Sequence, residues 1–285
     1  MTVTIITGPT ASGKTAMAID LALKSKGEII NADSMQLYKH LPILTACPSG
    51  DEKASCPHHL FEILGDSDIS SAGWWTQTCL KLINEVLMRG NHPIIVGGTG
   101  MYLKSLTYGL SPIPDIPIEI RNQARDEAEQ DDFYTLVCQA DPLVKDRLAP
   151  HDTQRLTRAY EVILATGRSI YDWQSIKPTP PSYDFKKIAL VPDKTWLHSR
   201  IHLRFDQMIA GGVVDEVKAL KSHQIREDSP ILKAVGLKEL QAYITGDISL
   251  ERAKELAAIA TRQYAKRQMT WIKGQATDYD IIPLA

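Results

Sequence analysis

The segment Gly8-Pro-Thr-Ala-Ser-Gly-Lys-Thr15 constrains this chain more than any other. It has the spacing G-x-x-x-x-G-K-[ST] of a phosphate-binding loop (P-loop). Val3-Thr-Ile-Ile-Thr7 before it reads as a buried strand, and the residues from Ala16 to Leu23 read as a helix. A strand that turns through such a loop into a helix aims several backbone N–H groups at one anion, and the helix N-terminus adds favourable dipole charge. Lys14 then reaches a terminal phosphate, and the Thr15 hydroxyl can hold Mg²⁺. Gly8, Pro9, Thr10, Ala11, Ser12, Gly13, Lys14 and Thr15 are therefore the expected diphosphate- or nucleotide-binding set. A plain glycine-rich turn would leave Lys14 and Thr15 unexplained. The loop alone does not say which phosphorylated molecule it holds or which bond breaks.

The rest of the chain extends this unit into an α/β fold. Glu28-Ile-Ile-Asn31 and Pro93-Ile-Ile-Val-Gly97 read as two more strands, with a helix expected from Ser70 to Arg89 between them. Lys187-Ile-Ala-Leu-Val191 and Tyr279-Asp-Ile-Ile282 could complete about five strands. Alternation of strand and helix argues a largely parallel sheet flanked by helices. Ligands of such sheets bind beyond the carboxyl ends of the strands, which puts Gly8–Thr15, Asp33-Ser34 and Gly97–Gly100 on one rim. Two proline-rich breaks, 111–117 and 177–182, bracket a polar helical stretch without strand signals. The expected organisation is a core of residues 1–111 and 185–285 interrupted by a helical insertion, 112–184. The C-terminal part reads as helices near 194–210, 213–222 and 250–272.

Charge is unevenly spread along the sequence. Net charge is −2, but residues 186–285 hold 16 Lys and Arg against 12 Asp and Glu, whereas residues 1–185 hold 16 against 22. A polyanionic partner would meet the C-terminal third. Four scattered cysteines make no disulfide scaffold, and no apolar run approaches membrane-spanning length. The chain reads as cytoplasmic, with reduced thiols and no membrane partner. Nothing in it demands an oligomer, and a monomer is expected.

Several residues are placed to do chemistry. Asp33 follows the second strand at the rim and suits a general base or a group near Mg²⁺, although a carboxylate there often only caps a turn. Thr99, in Gly97-Gly-Thr-Gly100, offers a hydroxyl to a phosphate oxygen or leaving group, although such a sequence also makes a tight turn. Arg121 opens the insertion, where an arginine folding over a phosphate site can stabilise developing charge; most helix-borne arginines are simply solvated. Arg262, Lys266 and Lys273 share one face of the last helix, with Tyr264, Gln268 and Trp271 opposite, which suits an RNA backbone or an ordinary amphipathic helix. Cys47-Pro48 and Cys56-Pro-His-His59 match no common zinc spacing, and Trp74-Trp75 reads as helix packing.

Taken in order, Gly-Pro-Thr-Ala-Ser-Gly-Lys-Thr (8–15), Asn-Ala-Asp-Ser-Met-Gln-Leu-Tyr (31–38), Pro-His-His-Leu (57–60), Val-Gly-Gly-Thr-Gly-Met-Tyr (96–102), Gly-Leu-Ser-Pro-Ile-Pro (109–114), Asp-Thr-Gln-Arg-Leu-Thr-Arg-Ala (152–159) and Thr-Arg-Gln-Tyr-Ala-Lys-Arg-Gln-Met-Thr-Trp (261–271) resemble the tRNA dimethylallyltransferases, bacterial type. The resemblance spans nearly the whole chain. It implies a P-loop NTPase-like core with a helical insertion domain. The implied activity is transfer of a dimethylallyl group from dimethylallyl diphosphate to N6 of the adenosine 3′ to the anticodon (position 37), in tRNAs reading codons that begin with U. The implied partners are the tRNA anticodon stem-loop and dimethylallyl diphosphate, with Mg²⁺ as cofactor at Thr15. By the resemblance Asp33 is the general base, and Thr99, Arg121 and Lys14 attend the reacting centre and the leaving diphosphate. It further implies tRNA contacts from Asp33, Ser34, Met35 and Gln36; from Gln154, Arg155, Leu156, Thr157 and Arg158; from Lys233, Ala234, Val235, Gly236, Leu237 and Lys238; and from Lys266, Arg267, Gln268, Met269, Thr270, Trp271, Ile272 and Lys273.

The chain departs from the family pattern at one loop. Where the family usually reads Gly-x-Asp-Ile-Gly-Thr-Ala-Lys-Pro, residues 40–48 read His-Leu-Pro-Ile-Leu-Thr-Ala-Cys-Pro, so that Leu44 replaces a glycine and Cys47 a basic residue. Three other readings compete with the prenyltransferase. An ATP-dependent small-molecule kinase is what the phosphate loop alone would favour. Prenylation of free adenylate would need no RNA-matching helices. A non-catalytic tRNA-binding protein would need no base at Asp33.

Overall fold

The structure is a computed structural model that describes residues 2–285. Its centre is one six-stranded sheet in the order β3-β2-β4-β1-β5-β6, formed by β1 (Thr2–Thr7), β2 (Gly27–Asn31), β3 (His58–His59), β4 (His92–Val96), β5 (Asp184–Pro192) and β6 (Asp280–Leu284). Every neighbouring pair is parallel. A parallel sheet is covered on both faces, so its strands are apolar at almost every position. Registers Ile5↔Ile95 and Ile30↔Ile95 put these three side chains into one core layer. Ile6, Ile29, Ile94 and Val96 point the other way, into the layer under α1 (Lys14–Ser25). The central isoleucines are 0–1 % exposed, and each contributes about 1.5–3 kcal/mol by leaving water.

Four short or mid-length helices follow in the first half: α2 (Pro42–Thr45), α3 (Gly50–Ser55), α4 (Ala72–Met88) and α5 (Gly100–Tyr108). The chain separates into two compact units, Met1–Thr107 with Ser182–Ala285, and Tyr108–Pro181. The second unit holds α6 (Ile118–Glu127), α7 (Phe133–Ala140), α8 (Thr153–Thr166) and α9 (Ile170–Ser175) around its own core of Phe133, Val137, Leu156, Ala159 and Val162. The first unit resumes with α10 (Lys194–Ala210), α11 (Val213–Leu220), α12 (Leu237–Ile244) and α13 (Leu250–Gln275).

Several elements have no expectation in the sequence, among them the short helices α2 and α3 as well as β3 and α12. β3 is only His-His, paired with Ile29 and Ile30, and carries no apolar signal. Helix α12 begins after Gly236, at φ 94°, without a capping side chain, so the usual start signal is missing. No helix among the described residues is long and apolar enough to cross a membrane. All four cysteines are free.

The end of β4 is packed against the chain that leaves β2. A Cβ on Gly97 would lie 2.1 Å from the carbonyl carbon of Ala32 and 2.2 Å from its oxygen. Backbone held in two ladders cannot yield as a flexible side chain can. Gly97→Ala is therefore expected to destabilise the protein by about 3 kcal/mol, the upper end for overpacking. Urea unfolding of the variant checks this, and a loss below about 0.5 kcal/mol would contradict it.

Candidate active site

Because β2, β4 and β1 are neighbours in the sheet, their C-terminal loops meet at one rim. The loop after β1 is the phosphate loop. Gly13 turns it with φ 85°, a left-handed conformation that favours glycine, and Lys14 and Thr15 open α1. The N–H groups of Lys14, Thr15 and Ala16, in the first turn, have no intrahelical acceptor and are available to an anion. Ser12 Oγ is buried without a hydrogen-bond partner. Lys14 Nζ donates to the Pro9 carbonyl at 2.8 Å, inside the loop itself.

Thr10 has a different part from the one expected. Its N–H donates to Gln268 Oε1 of α13 at 2.8 Å, and its Oγ1 accepts from Arg204 Nη1 of α10 at 3.1 Å. Its amide is thus already partnered, and two helices hold the loop from above. Gln268 Nε2 also donates to the Gly98 carbonyl at 3.1 Å, so one buried amide links the loops after β1 and β4. A Cβ on Gly100 would lie 2.4 Å from the Trp271 ring. The glycines after β4 therefore admit α13, rather than simply making a tight turn.

Asp33 is fixed by Asn31, which is fully buried. Asn31 Oδ1 accepts from the Asp33 N–H at 2.7 Å, and its Nδ2 donates to the carbonyls of Asp33 and Leu60, both at 2.9 Å. Asp33 Oδ1 accepts from Met35 N–H at 3.0 Å. Thr99 Oγ1 accepts from Ser34 N–H at 3.0 Å, tying the Asp33 loop to the loop after β4. Behind them Trp75 donates to the Asn31 carbonyl at 2.8 Å and stacks on Tyr102 at 4.6 Å. Trp75 is core, as its helix packing predicts, and Trp74 is partly exposed.

Two adjoining cavities open at this rim. One of about 340 Å³ is lined by Lys14, Thr15, Cys47, Arg200, Arg204 and Gln207, among others. The other, about 220 Å³, is lined by Ser34, Met35, Phe205, Lys233, Tyr264 and Arg267, among others. Thr10, Asp33, Thr45 and Arg204 line both. Asp33 thus stands where a cationic phosphate-loop cavity joins a more aromatic one.

The electrostatics follow from burial. Desolvation pushes the Lys14 ammonium down to about 8, with the Asp33 charge opposing and Arg204 adding to the fall. Burial also draws Arg204 below its ordinary value, again against the pull of Asp33. Tyr264 is pushed up by burial and by Asp33, so its phenol stays protonated. Two partly buried cations share one nearby carboxylate, a charge arrangement that an anionic ligand would complete.

Two cationic residues escaped the sequence reading. Arg200, Arg204 and Gln207 stand at i, i+4 and i+7 of α10, and all three line the phosphate-loop cavity. That spacing was available as a signal, but nothing local says which face of α10 meets the loop. Of the residues expected at RNA, Lys233, Lys238, Lys266, Arg267, Thr270 and Lys273 are exposed. Ala234, Leu237, Gln268 and Ile272 are buried in the first unit and Leu156 in the second. They pack or hold their helices. Gln36 commits its amide to the Thr45 and Ala46 carbonyls at 2.9 and 2.8 Å. Arg121 lies in the first turns of α6, and Gln154, Arg155, Thr157 and Arg158 on α8, which packs against α6 within the second unit.

Comparisons with known proteins give the family. The IPP transferase family model matches residues 36–275, and an isopentenyl transferase model matches residues 1–56. The chain is 43 % identical over 274 residues to a tRNA dimethylallyltransferase of Parvibaculum lavamentivorans, covering 95 % of this chain and 87 % of that protein. The chain belongs to the tRNA dimethylallyltransferase family. A second relative of that name, from a Chelativorans species, is 43 % identical over 99 % of this chain and 98 % of its own length. Among solved structures, a eukaryotic dimethylallyltransferase acting on tRNA superposes with a TM-score of 0.85 at 28 % identity, covering 99 % of this chain and 73 % of that one. The full-length tRNA isopentenylpyrophosphate transferase of Bacillus halodurans gives 0.71 at 32 % identity, over 99 % and 89 %. The α/β fold with a P-loop NTPase-like core is therefore shared with solved tRNA isopentenyltransferases.

Within the tRNA dimethylallyltransferase family pattern, the residue 40–48 loop is where this chain departs at the site. Cys47 lines the phosphate-loop cavity where the family pattern has a basic residue, and burial pushes its thiol up to about 12. It brings no charge at neutral pH. The cations in that wall come instead from Arg200 and Arg204. Leu44, in place of a glycine, is buried and lines the second cavity, which it makes more apolar.

Proposed function

We propose that this protein transfers a dimethylallyl group from dimethylallyl diphosphate to N6 of adenosine 37 in tRNA. The observation that carries the reading is the place of Asp33, shared by the phosphate-loop cavity and the cavity beside α13. The diphosphate lies against the first-turn amides of α1, Lys14 and Arg204. The adenine enters from the side of Tyr264, Arg267 and Lys233, out of its stack. The allylic C1–O bond breaks, a C1–N6 bond forms, the N6 proton passes to Asp33, and diphosphate leaves. The exocyclic amine is a weak nucleophile, so proton removal during attack matters. Thr99 keeps the Asp33 loop in register, and Arg121 adds positive charge as the diphosphate departs.

Mg²⁺ suits the donor set here, because it is held by one or two protein oxygens together with phosphate oxygens, and Thr15 supplies one hydroxyl beside the cradle. Bound there, it neutralises charge on the leaving group. RNA contact falls to the exposed basic residues of α13 and the 233–238 segment, and to α8 of the insertion domain, 112–184. Purified protein, unmodified tRNA, dimethylallyl diphosphate and Mg²⁺ should yield isopentenyladenosine on nucleoside mass analysis. Phosphate transfer from ATP alone would favour a kinase, and faster reaction with AMP than with tRNA would favour an adenylate prenyltransferase.

The burial of Lys14 gives the site a pH dependence. Its ammonium is stabilised by a bound diphosphate, so binding raises its pKa above about 8. Affinity is therefore greatest below pH 8 and falls as pH rises through it, approaching about tenfold per pH unit. Calorimetric titration with inorganic diphosphate across this range checks the sign. The difference from Lys14→Ala removes the ligand's own ionisation. A profile parallel to that of Lys14→Ala would contradict it.

A further inference from the structure

Away from both cavities, three potential ligands converge. His40 follows the segment that leaves β2, Asp66 lies just beyond the Tyr38↔Leu64 bridge, and His223 follows the end of α11. One donor atom from each lies within 4.8 Å of the other two. Asp66 Oδ1 lies against His40 Nε2, and Asp66 Oδ2 is 3.7 Å from His223 Nδ1. The imidazole rings are 4.0 Å apart, tilted by 39°. None of the three lines either cavity.

We propose that His40, Asp66 and His223 form a binding site for a divalent transition metal of the zinc type. A buried ring nitrogen without a hydrogen bond is costly, and His40 Nε2 is one despite its contact with Asp66. A metal ion accepts its lone pair. Two imidazoles and a carboxylate are a common zinc set, with a fourth position left to water. The same set disfavours Mg²⁺, which takes oxygen ligands. Nitrogen and oxygen donors about 2.0–2.2 Å from zinc lie roughly 3.3 Å apart in a tetrahedron, so the His223–Asp66 separation needs only a small adjustment.

The position gives the ion a purpose. Glu216 of α11 already accepts from the Ile43 and Leu44 N–H groups at 2.7 and 2.9 Å. Leu44 and Thr45 form part of the cavity wall. A metal joining His40 to His223 fastens the beginning of this loop to the end of the same helix. The site is thus a structural clamp on a wall of the reaction cavity, separate from the Mg²⁺ chemistry at the phosphate loop.

Chelator-stripped protein titrated with Co²⁺ should develop a visible d–d band that saturates at one equivalent, without a thiolate charge-transfer band. Zn²⁺ should displace Co²⁺ and raise the melting temperature by several degrees at saturating metal, an increase lost on chelation. His40→Ala and His223→Ala should each weaken Co²⁺ binding by at least about tenfold, and Cys56→Ser should leave it unchanged. His223 is the more exposed of the two histidines, so His223→Gln carries the test if His40→Ala does not fold. Absence of a saturating band, equal affinity in the histidine variants, or loss of binding in Cys56→Ser would each overturn the proposal.

Discussion

Asp33→Ala is expected to slow prenyl transfer in a single turnover by about 10²–10⁴-fold while tRNA affinity changes only a few-fold. The range is that of a positioned general base, and the positioning is visible. Asn31 holds the Asp33 backbone through two bonds, and the Met35 N–H holds one carboxylate oxygen. Removal of the carboxylate loses the Met35 bond but leaves both Asn31 bonds standing, so most of the effect belongs to chemistry rather than folding. Asp33→Asn preserves the shape and the Met35 bond but cannot accept the N6 proton, and should be nearly as slow. Rapid-quench measurement at saturating substrates separates the rate from binding. A full rate in Asp33→Asn would move the base elsewhere, and an equal loss of tRNA affinity would make Asp33 a binding residue instead.

The second large effect is expected at Arg204, which no local motif marks. Arg204→Ala should lower the rate of diphosphate departure by about 10²–10³-fold, the scale of losing one preorganised donor at developing charge. Its guanidinium is half-buried, lines both cavities and donates to Thr10 Oγ1. A cation held in place by the Thr10 bond needs little reorganisation as charge appears on the leaving group. Arg204→Lys keeps the charge but loses the planar fork, and should recover only part of the rate. If Arg204→Ala instead raises KM with kcat unchanged, Arg204 binds ground state and transition state alike. Melting curves of both variants guard against a structural cause, since removal of the Thr10 bond loosens the loop.

The sequence legibly contains whatever is contiguous. The phosphate loop is eight consecutive residues, and the buried runs Ile5-Ile6, Ile29-Ile30 and Ile94-Ile95 announce strands covered on both faces. Asp33 is legible because a loop after a parallel strand opens on the ligand side. What lies hidden depends on how distant elements dock. Arg204 and Thr10 are 194 residues apart, and Gln268 and Thr10 are 258 apart. Helical periodicity gives α10 a basic face without saying what that face meets. The same gap hides the part of Gln268: its place opposite the basic face is legible, but only the packed structure shows its amide satisfied by two loops. Residues 58–59 illustrate the lower limit of pattern, because a two-residue strand has too few positions to alternate.

Gln268 also carries a consequence for how two substrates sense each other. Its amide holds Thr10 and Gly98 from the inner side of α13, while Lys266, Arg267, Thr270 and Lys273 face outward on the same helix. If the outer face of α13 meets RNA, as proposed above, the same helix steadies the phosphate loop with its inner face and is a lever with a very short arm. Through the Thr10–Gln268 bond, any roll of α13 on contact with RNA would displace the Thr10 amide, and an occupied loop would resist that roll. Linkage then requires the two affinities to change by the same factor, whichever substrate arrives first. An occupied phosphate loop then weakens the grip on RNA, and bound RNA weakens the hold on the prenyl donor by the same factor, with no contact between the two substrates.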